Sequence, residues 1–438
     1  MLQPGHLLFY AKDCMSSIIT NAQSASLGFV RRFKPGIWYI TIVGFINSAG
    51  FSLSLPYVAL YLNEDRGVSM TVVGLIILIT GMISAAVQLY SGALCDKFGR
   101  RPLLIASMAS GTTLFGVMAF LIGITAPVWA IVLAYTGVRS AIMMANPAVQ
   151  AMIVDQCPRE KLAEANGLVR IGGNLGWAAG PALGGFLLSS LPFSGLFGVA
   201  TAMRGVALVV AIVLVKESFK GCSEHVTLRS IFKAGQDPTF LAFTLLCLLL
   251  FLAMGQMSST LSVYTVERVG FSSAQYGSLL SLNGLMVVAL QYPVTRALGR
   301  ISKKSALILG SCLYAIGYFS MSLVGPYPVA LAAMAVVTMG EITIAPTTLA
   351  VVGELSPATW RGRYMGFYGL SETLGISTGP LLGGVLLDGF PSGRVAIWGT
   401  IAAAALSAAL GFALWGPRRR AGRIVSPVAG AETGVADD

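Results

Sequence analysis

The 438-residue sequence is poor in charge and has almost no histidine. Only 11% of its residues are charged and 55% are hydrophobic, whereas a soluble domain carries about 25% charged residues. The two histidines, His6 and His225, lie outside the apolar runs, which excludes a histidine proton relay within a membrane and leaves a zinc site without its usual ligand. The six cysteines are scattered, with no CxxC pair. These shortages exclude a soluble globular domain and predict a membrane protein.

Long uncharged runs separate the few charged positions, and each is long enough for the about 20 residues that a helix needs to cross a bilayer. Turn-forming breaks at Thr125-Ala126-Pro127 and Gly325-Pro326 divide two of these runs into two helices each. The sequence therefore predicts an all-α polytopic membrane protein. Its twelve spans are expected near residues 37–62, 69–94, 102–123, 128–153, 164–190, 194–215, 239–263, 273–295, 305–325, 328–353, 364–387 and 394–415.

Basic residues gather on one side of the predicted spans. With alternating connections, 23 of the 29 lysines and arginines fall on the side that also holds both termini. Arg66, Arg268 and Arg394 fall on the other side. The positive-inside rule then places both termini in the cytoplasm and the protein in the cell membrane. The net charge of +11 thus reflects orientation rather than a nucleic-acid partner, and residues 1–35, which lack the order of a signal peptide, are expected to be retained.

The chain contains an internal repeat. A shift of 199 residues superposes 166–187 on 365–386 with nine of 22 identities. The shared pattern GxxxGPxxGG comprises Gly176, Gly180, Pro181, Gly184 and Gly185, then Gly375, Gly379, Pro380, Gly383 and Gly384. Glycines spaced by four leave a helix face bare for close packing, and their duplication suggests a contact that slides between two halves. We expect a tail at 1–36, six-helix bundles at 37–215 and 239–415, a cytoplasmic linker at 216–238 and a tail at 416–438.

A conspicuous motif follows the second predicted span and reads Gly92-Ala-Leu-Cys-Asp96-Lys-Phe-Gly99-Arg100-Arg101. It resembles the GxLxDrxGrR signature of the major facilitator superfamily, which lies between spans 2 and 3. The GxxxGPxxGG pattern is similar to the antiporter motif of the drug:proton antiporter branch of that superfamily. The resemblance implies a transporter and not an enzyme, with two pseudo-symmetric six-helix bundles that work by alternating access.

The motif also predicts a gate. Asp96 ends its helix, where the helix dipole disfavours a carboxylate, so it needs an external partner. The resemblance implies that this partner is the N-terminus of span 11 and that Arg100 bonds Asp155, which together would latch the cytoplasmic side. The predicted gate comprises Gly92, Asp96, Gly99, Arg100, Arg101, Asp155 and Arg170. A charged loop that only fixes topology is the alternative.

Five charged residues are predicted within spans, namely Arg139, Arg170, Arg204, Glu341 and Glu372. A charge at the centre of a membrane helix costs about 2.5 to 3.5 kcal/mol on insertion scales. Arg139 and Glu341 are expected at similar depths in spans 4 and 10, which line the central cavity in this superfamily, so they could face each other. Burial favours the neutral form of a carboxyl group and a nearby cation favours the ionised form. Glu341 is therefore the predicted proton carrier, with Glu372 in reserve; a structural, permanently protonated Glu341 is the alternative.

The rest of the cavity is expected to be polar side chains among methionine and phenylalanine. These are Asn47, Tyr57, Gln88, Tyr135, Gln150, Gln256, Tyr264 and Asn283, with Arg139 in the same cavity. Such a lining suits amphipathic, drug-like substrates. We predict a monomer that exports them with a proton gradient as its energy source, without a cofactor. The alternatives are a facilitator or importer of a small organic anion that uses Arg139, and a non-transporting sensor or channel.

Overall fold

Twelve long helices make up most of the part of the chain that the structure describes. The computed structural model describes residues 33–158, 161–218, 233–357 and 360–416, and these ranges are helices joined by short connections, without a strand. The helices are α1 Pro35–Asp65, α2 Met70–Phe98, α3 Arg100–Gly123, α4 Val128–Gln156, α5 Leu162–Leu187, α6 Phe193–Leu214, α7 Pro238–Ser258, α8 Ser273–Leu298, α9 Lys303–Leu323, α10 Tyr327–Leu355, α11 Arg361–Gly389 and α12 Arg394–Leu414. The predicted tails at 1–36 and 416–438 and the linker at 216–238 lie mostly outside the described residues.

Eleven of these helices are long and apolar enough to cross a membrane. The exception is α5, where Glu164, Asn166, Arg170 and Asn174 lower the hydropathy of a glycine-rich segment. Its 26 residues nevertheless give a length of about 39 Å at 1.5 Å per residue. Several helices continue past the predicted spans, as α2 does to Phe98, because charged and polar residues can extend a helix beyond the apolar run. The predicted all-α fold with twelve long helical segments is confirmed.

The helices pack as two similar halves, α1–α6 and α7–α12. In the first half α1 packs on α5 and α6, α2 on α4, and α3 on α4 and α6. The second half repeats each of these contacts, with α7 on α11 and α12, α8 on α10, and α9 on α10 and α12. The two largest contacts between the halves are α2 with α11 and α5 with α8, and smaller ones join Leu55–Tyr57 of α1 to Gly255–Ser258 of α7 and Val58–Leu60 to Thr260–Val263. The repeat seen in the sequence is therefore a repeat of architecture.

The first helix of each half is irregular at matching positions. In α1 a 3-10 turn, Leu55–Tyr57, is followed by a π-helical turn, Tyr61–Asp65. At the end of α7 a 3-10 turn, Gly255–Ser258, precedes a π-helical turn, Tyr264–Arg268, that follows the helix. Pro56 explains the first break, because its ring removes a backbone donor from the helix. Each half therefore begins with a helix that changes winding before it reaches the loop.

Loops define two ends of the bundle, which we name for the residues they carry. The basic end holds Lys97, Arg101, Arg300 and Lys303, together with the start of α11. The opposite end holds the loops after α1 and α7 and the end of α11 at Gly389.

Candidate functional site

A cavity of about 220 Å³ lies among α5, α7, α9, α10 and α11. It is lined by Arg170, Leu250, Phe251, Met254, Tyr314, Glu341, Ile344, Ala345, Leu349, Tyr368 and Glu372. Only one of these side chains, Arg170, comes from the first half of the molecule. Two carboxyl groups and one guanidinium therefore share a cavity whose other walls are mostly apolar and aromatic.

Glu341 sits midway along α10 and is held from α8. The Asn283 side-chain amide donates a hydrogen bond to Glu341 Oε2 at 2.8 Å and another to the Thr338 hydroxyl at 3.1 Å. Tyr314 lines the same cavity. One carboxylate oxygen is thus fixed by a neutral amide. An amide donor can hold the carbonyl oxygen of a protonated carboxyl group as well as an ionised carboxylate, so this contact is compatible with both states.

Arg170 is the cation that acts on both acids. Its charge interacts with Glu341 on α10 and with Glu372 on α11. The arginine side chain is exposed, whereas both glutamates are partly buried. Because Arg170 belongs to the first half and the acids to the second, any relative motion of the halves changes this interaction.

Among the described residues Arg139 and Glu341, which the sequence predicts could face each other, form no ion pair. The Arg139 guanidinium lies over the Phe51 ring of α1, 5.7 Å from its centroid, and its charge acts on Tyr135 one turn away. Arg139 lies over a ring of its own half, and Glu341 is held by Asn283 of the second half. Arg170, which the sequence assigns to the gate, takes the place expected of Arg139.

Three tyrosine and glutamine side chains expected in the cavity are structural instead. Gln256 donates to the Leu252 and Gly379 carbonyls and accepts from Thr260, which ties α7 to α11. Tyr264 is buried and donates to the Met321 carbonyl. Tyr57 is fully buried between the halves. In each case the hydroxyl or amide satisfies a backbone carbonyl that packing has removed from water.

Asn47 and Tyr135, also expected in the cavity, lie in the first half and do not line it. Asn47 is partly buried on α1, and Tyr135 is buried on α4 beside Arg139. Of the polar side chains predicted for the cavity, Asn283 is the one that reaches it through its hydrogen bond to Glu341.

We call each of the two large contacts between the halves, α2 with α11 and α5 with α8, a seam. The seam between α2 and α11 is closed at the opposite end by glycines. A Cβ added to Gly74 would lie 2.5 Å from the Pro380 carbonyl oxygen, and one added to Gly81 would lie 2.7 Å from the Ser377 Cβ. Ordinary side chains are excluded here because the helices approach at backbone distance.

The seam between α5 and α8 repeats this arrangement. A Cβ on Gly277 would lie 2.9 Å from the Pro181 carbonyl carbon, and one on Gly284 would lie 2.6 Å from the Ala178 Cα. The Ala182 N–H donates to the Ser281 hydroxyl at 3.0 Å, across the seam. Tyr57 completes this end, since its hydroxyl hydrogen is shared between the Pro181 carbonyl at 2.6 Å and the Ser273 carbonyl at 3.3 Å.

The repeated glycine pattern serves two purposes. Its first three glycines pack each helix on the first helix of its own half: Gly176, Gly180 and Gly184 on α1, and Gly375, Gly379 and Gly383 on α7 and the residues that follow it. Only the last glycine of each copy, Gly185 or Gly384, meets the other half, at Ser273 or Met70. The two helices that carry the pattern do lie between the halves, since α5 contacts α8 and α11 contacts α2, but most of the glycines themselves pack within one half.

The backbone of the signature loop after α2 requires a glycine at Gly99. Gly99 has φ 100° and ψ 165°, a region that is essentially restricted to glycine. A Cβ there would also lie 2.7 Å from the Glu217 carboxylate. Glu217 accepts hydrogen bonds from the Arg100 and Arg101 N–H groups at 3.2 and 3.1 Å and so caps the N-terminus of α3. Glu217 could not be identified from the sequence, because nothing local relates it to α3.

The arginines of the signature bind within the first half. Arg100 Nε lies 3.3 Å from Asp155 Oδ2, the contact that the resemblance implied. Arg101 donates to the Val215 and Ile212 carbonyls at the end of α6. The side chain of Asp96 lies outside the described residues. Gly92 faces open space, with no atom within 4 Å of an added Cβ.

Known proteins place these features in one family. The family model of the Major Facilitator Superfamily matches residues 40–370 and 244–436. The uncharacterized MFS-type transporter YttB of Bacillus subtilis is 28% identical over 360 residues, which are 81% of this chain and 89% of the relative. The class C tetracycline resistance protein of Escherichia coli is 28% identical over 298 residues, 66% of this chain and 74% of the relative.

A solved structure shows the same fold. The crystal structure of a POT family transporter in complex with 5-aminolevulinic acid has a TM-score of 0.72 at 13% identity and covers 86% of this chain and 95% of its own. At that identity the likeness concerns the fold alone. With its two six-helix halves and a family match over most of its length, the chain belongs to the major facilitator superfamily and is a multi-pass membrane transporter of a small molecule.

Proposed function

We propose that the protein exports small amphipathic molecules in exchange for protons, by alternating access. The observation that carries the proposal is the cavity in which Glu341 and Glu372 of one half share Arg170 of the other. Antiport needs a group for which proton and substrate compete, and a means of coupling its occupancy to the arrangement of the halves. A carboxyl pair that faces a cation across the seam meets both needs.

The coupling follows from charge. When the glutamates are ionised, Arg170 attracts them and favours the arrangement that keeps it near them; when one is protonated, that attraction weakens. A proton or a cationic group of the substrate can thus replace Arg170 as the partner of the acids. We assign the principal proton to Glu341, which is held by Asn283 in the middle of α10, and a secondary role to Glu372.

The direction of transport rests on orientation. With the basic end in the cytoplasm, as the positive-inside rule favours, the closed seam at the opposite end makes this the inward-facing state. The cavity would then load substrate from the cytoplasm. Phe251, Met254, Tyr314 and Tyr368 in its wall favour molecules with apolar or aromatic parts. The similarity to a tetracycline resistance protein supports export of drug-like molecules.

The test is proton release in everted membrane vesicles that carry a pH-sensitive dye. Tetracycline and ethidium serve as probes, because one relative is a tetracycline resistance protein and ethidium is an amphipathic cation. We expect addition of at least one probe to release protons, and Glu341→Gln to abolish this release. Glu354→Gln is the matched control, since Glu354 lies on the same helix but is exposed and paired with Lys303.

Two results would contradict the assignment. Proton release that persists in Glu341→Gln and is lost in Glu372→Gln would move the proton site to Glu372. Probe transport without any proton release, in vesicles that hold a pH gradient, would remove antiport altogether.

A facilitator or importer of a small organic anion is the second candidate. It is favoured by Arg139, which forms no ion pair among the described residues and stacks on Phe51. Uptake of a labelled monocarboxylate that depends on Arg139 but not on Glu341 would support this alternative.

A further inference from the structure

The N-termini of α2 and α8 occupy equivalent places in the two halves but are capped differently. At α8 the Ser272 side chain accepts from the Gln275 N–H at 3.2 Å, and the Gln275 side chain accepts from the Ser272 N–H at 2.9 Å. Ser69 stands in the same position at α2, yet its side chain caps no N–H group. Val72 occupies the place of Gln275 and offers no acceptor. Helix α8 is therefore capped by its own residues and α2 is not.

The missing cap of α2 comes from the other half. Asp388 accepts hydrogen bonds from the Met70 N–H at 3.1 Å and from the Thr71 N–H at 2.7 Å, one on each carboxylate oxygen. Asp388 lies in the last turn of α11, where the helix dipole disfavours a negative charge. The carboxylate thus belongs to the C-terminal end of α11, where the helix dipole disfavours it, and contacts the N-terminal end of α2, where the helix dipole favours it.

Asp388 is also held in place from its own half. Arg268, at the end of the π-helical turn after α7, donates to the Pro391 carbonyl at 2.5 Å and to the Leu387 carbonyl at 3.4 Å. These carbonyls flank Asp388 in the chain. The repeat gives Asp388 no counterpart, since the matching residue is Ser189, just after α5, which donates to the Phe186 carbonyl of α5. The contact is therefore specific to the seam between α2 and α11.

We propose that Asp388 is the latch of the opposite end, a carboxylate whose contact with the N-terminus of α2 stabilises the state in which this end is closed. The contact must break when the halves separate there, because its two sides belong to different halves. This proposal rests on alternating access from the proposed function, but not on which group carries the proton or on the substrate.

The test measures the distance between the halves rather than transport. Spin labels at Asp65 and Ser392, both exposed at the opposite end, are introduced into the full chain after its native cysteines are replaced, and the protein is placed in lipid nanodiscs. Electron–electron double resonance then gives the ratio of open to closed populations. We expect Asp388→Ala to raise this ratio about fivefold, the usual effect of losing a helix-capping side chain. Asp388→Asn, which keeps an acceptor but loses the charge, should give a smaller rise.

Ser189→Ala is the matched control, because it removes a polar side chain at the equivalent position of the other seam. It should leave the distance distribution unchanged. If Asp388→Ala gives the same distribution as Ser189→Ala while both remain monodisperse, the latch is refuted. If Asp388→Ala lowers thermal stability without a change in distance, the residue is only a helix cap and the proposal also fails. Neither result bears on Glu341, whose role is read from proton release.

Discussion

One face of α2 is tightly packed near the opposite end of the molecule and unpacked near the basic end. Toward the opposite end, Gly74 and Gly81 are pressed against the backbone and side chains of α11. Gly92 lies 18 residues after Gly74 and thus five turns along the same face, but an added Cβ would meet nothing within 4 Å. Helix α5 shows the same contrast between Gly185, which meets Ser273, and Gly167, which meets open space. We infer that each seam carries glycines for two closures, of which one is made in this state.

The strongest test of this comparison removes the closure that is present. Gly74→Leu would place a side chain against the Pro380 carbonyl, and overpacking of this kind costs about 3 kcal/mol. We expect the closed opposite end to be lost, with the spin-label distance shifted almost completely to the open population and transport abolished. Gly198→Leu on α6 is the control, because an added Cβ there meets no atom within 4 Å. A closed distance distribution in Gly74→Leu would show that the seam is not rigid at this level.

A second test compares two of the loops that contain glycines with positive φ. Gly99→Ala should lower the free energy of unfolding by about 2 kcal/mol, because its backbone region is essentially closed to other residues. Gly67 at the opposite end has φ 63°, a left-handed conformation that asparagine also adopts. Gly67→Asn should therefore cost much less. Thermal unfolding of both variants in detergent measures the difference, and equal losses would contradict the role given to Gly99.

The closure that is not made in this state is tested at Gly92. Gly92→Leu fits the present structure, so it destabilises only the state with a closed basic end. A destabilisation of about 1.4 kcal/mol lowers the population of that state about tenfold. Transport of an exported probe should fall by a similar factor, with thermal stability unchanged. Gly167→Leu should act in the same direction. A variant with normal transport would mean that the basic end closes through other surfaces.

The smallest expected effect separates a cap within one half from a cap between halves. Glu217→Gln removes a negative charge from the N-terminus of α3, the helix of the first half that Glu217 caps. The free energy of unfolding should fall by about 0.5 kcal/mol. The variant should lower the melting temperature slightly and leave the interhalf distance unchanged, in contrast to Asp388→Ala. A change of distance in Glu217→Gln would show that the signature loop responds to the arrangement of the halves.

The fold was largely predictable because the bilayer imposes long apolar runs and the repeat is visible as spaced glycines. The contact of Arg100 with Asp155 followed from a motif. The partner of Glu341 did not, since sequence depth alone cannot show that Arg139 turns to Phe51 while Arg170 enters the cavity. Capping acids such as Glu217 and Asp388 were equally hidden, because each serves a helix to which it is not joined.

The irregular winding of α1 and α7 has a kinematic consequence. A π-helical turn contains more residues per turn than an α-helical one. Tyr61–Asp65 and Tyr264–Arg268 therefore hold more residues than α-helical turns of the same length would. Rewinding either turn as α-helix would lengthen and rotate the helix tip without altering the glycine-packed part below it. Both tips could then follow the loops as the opposite end parts, while the tight contacts of α1 with α5 and of α7 with α11 travel as rigid bodies.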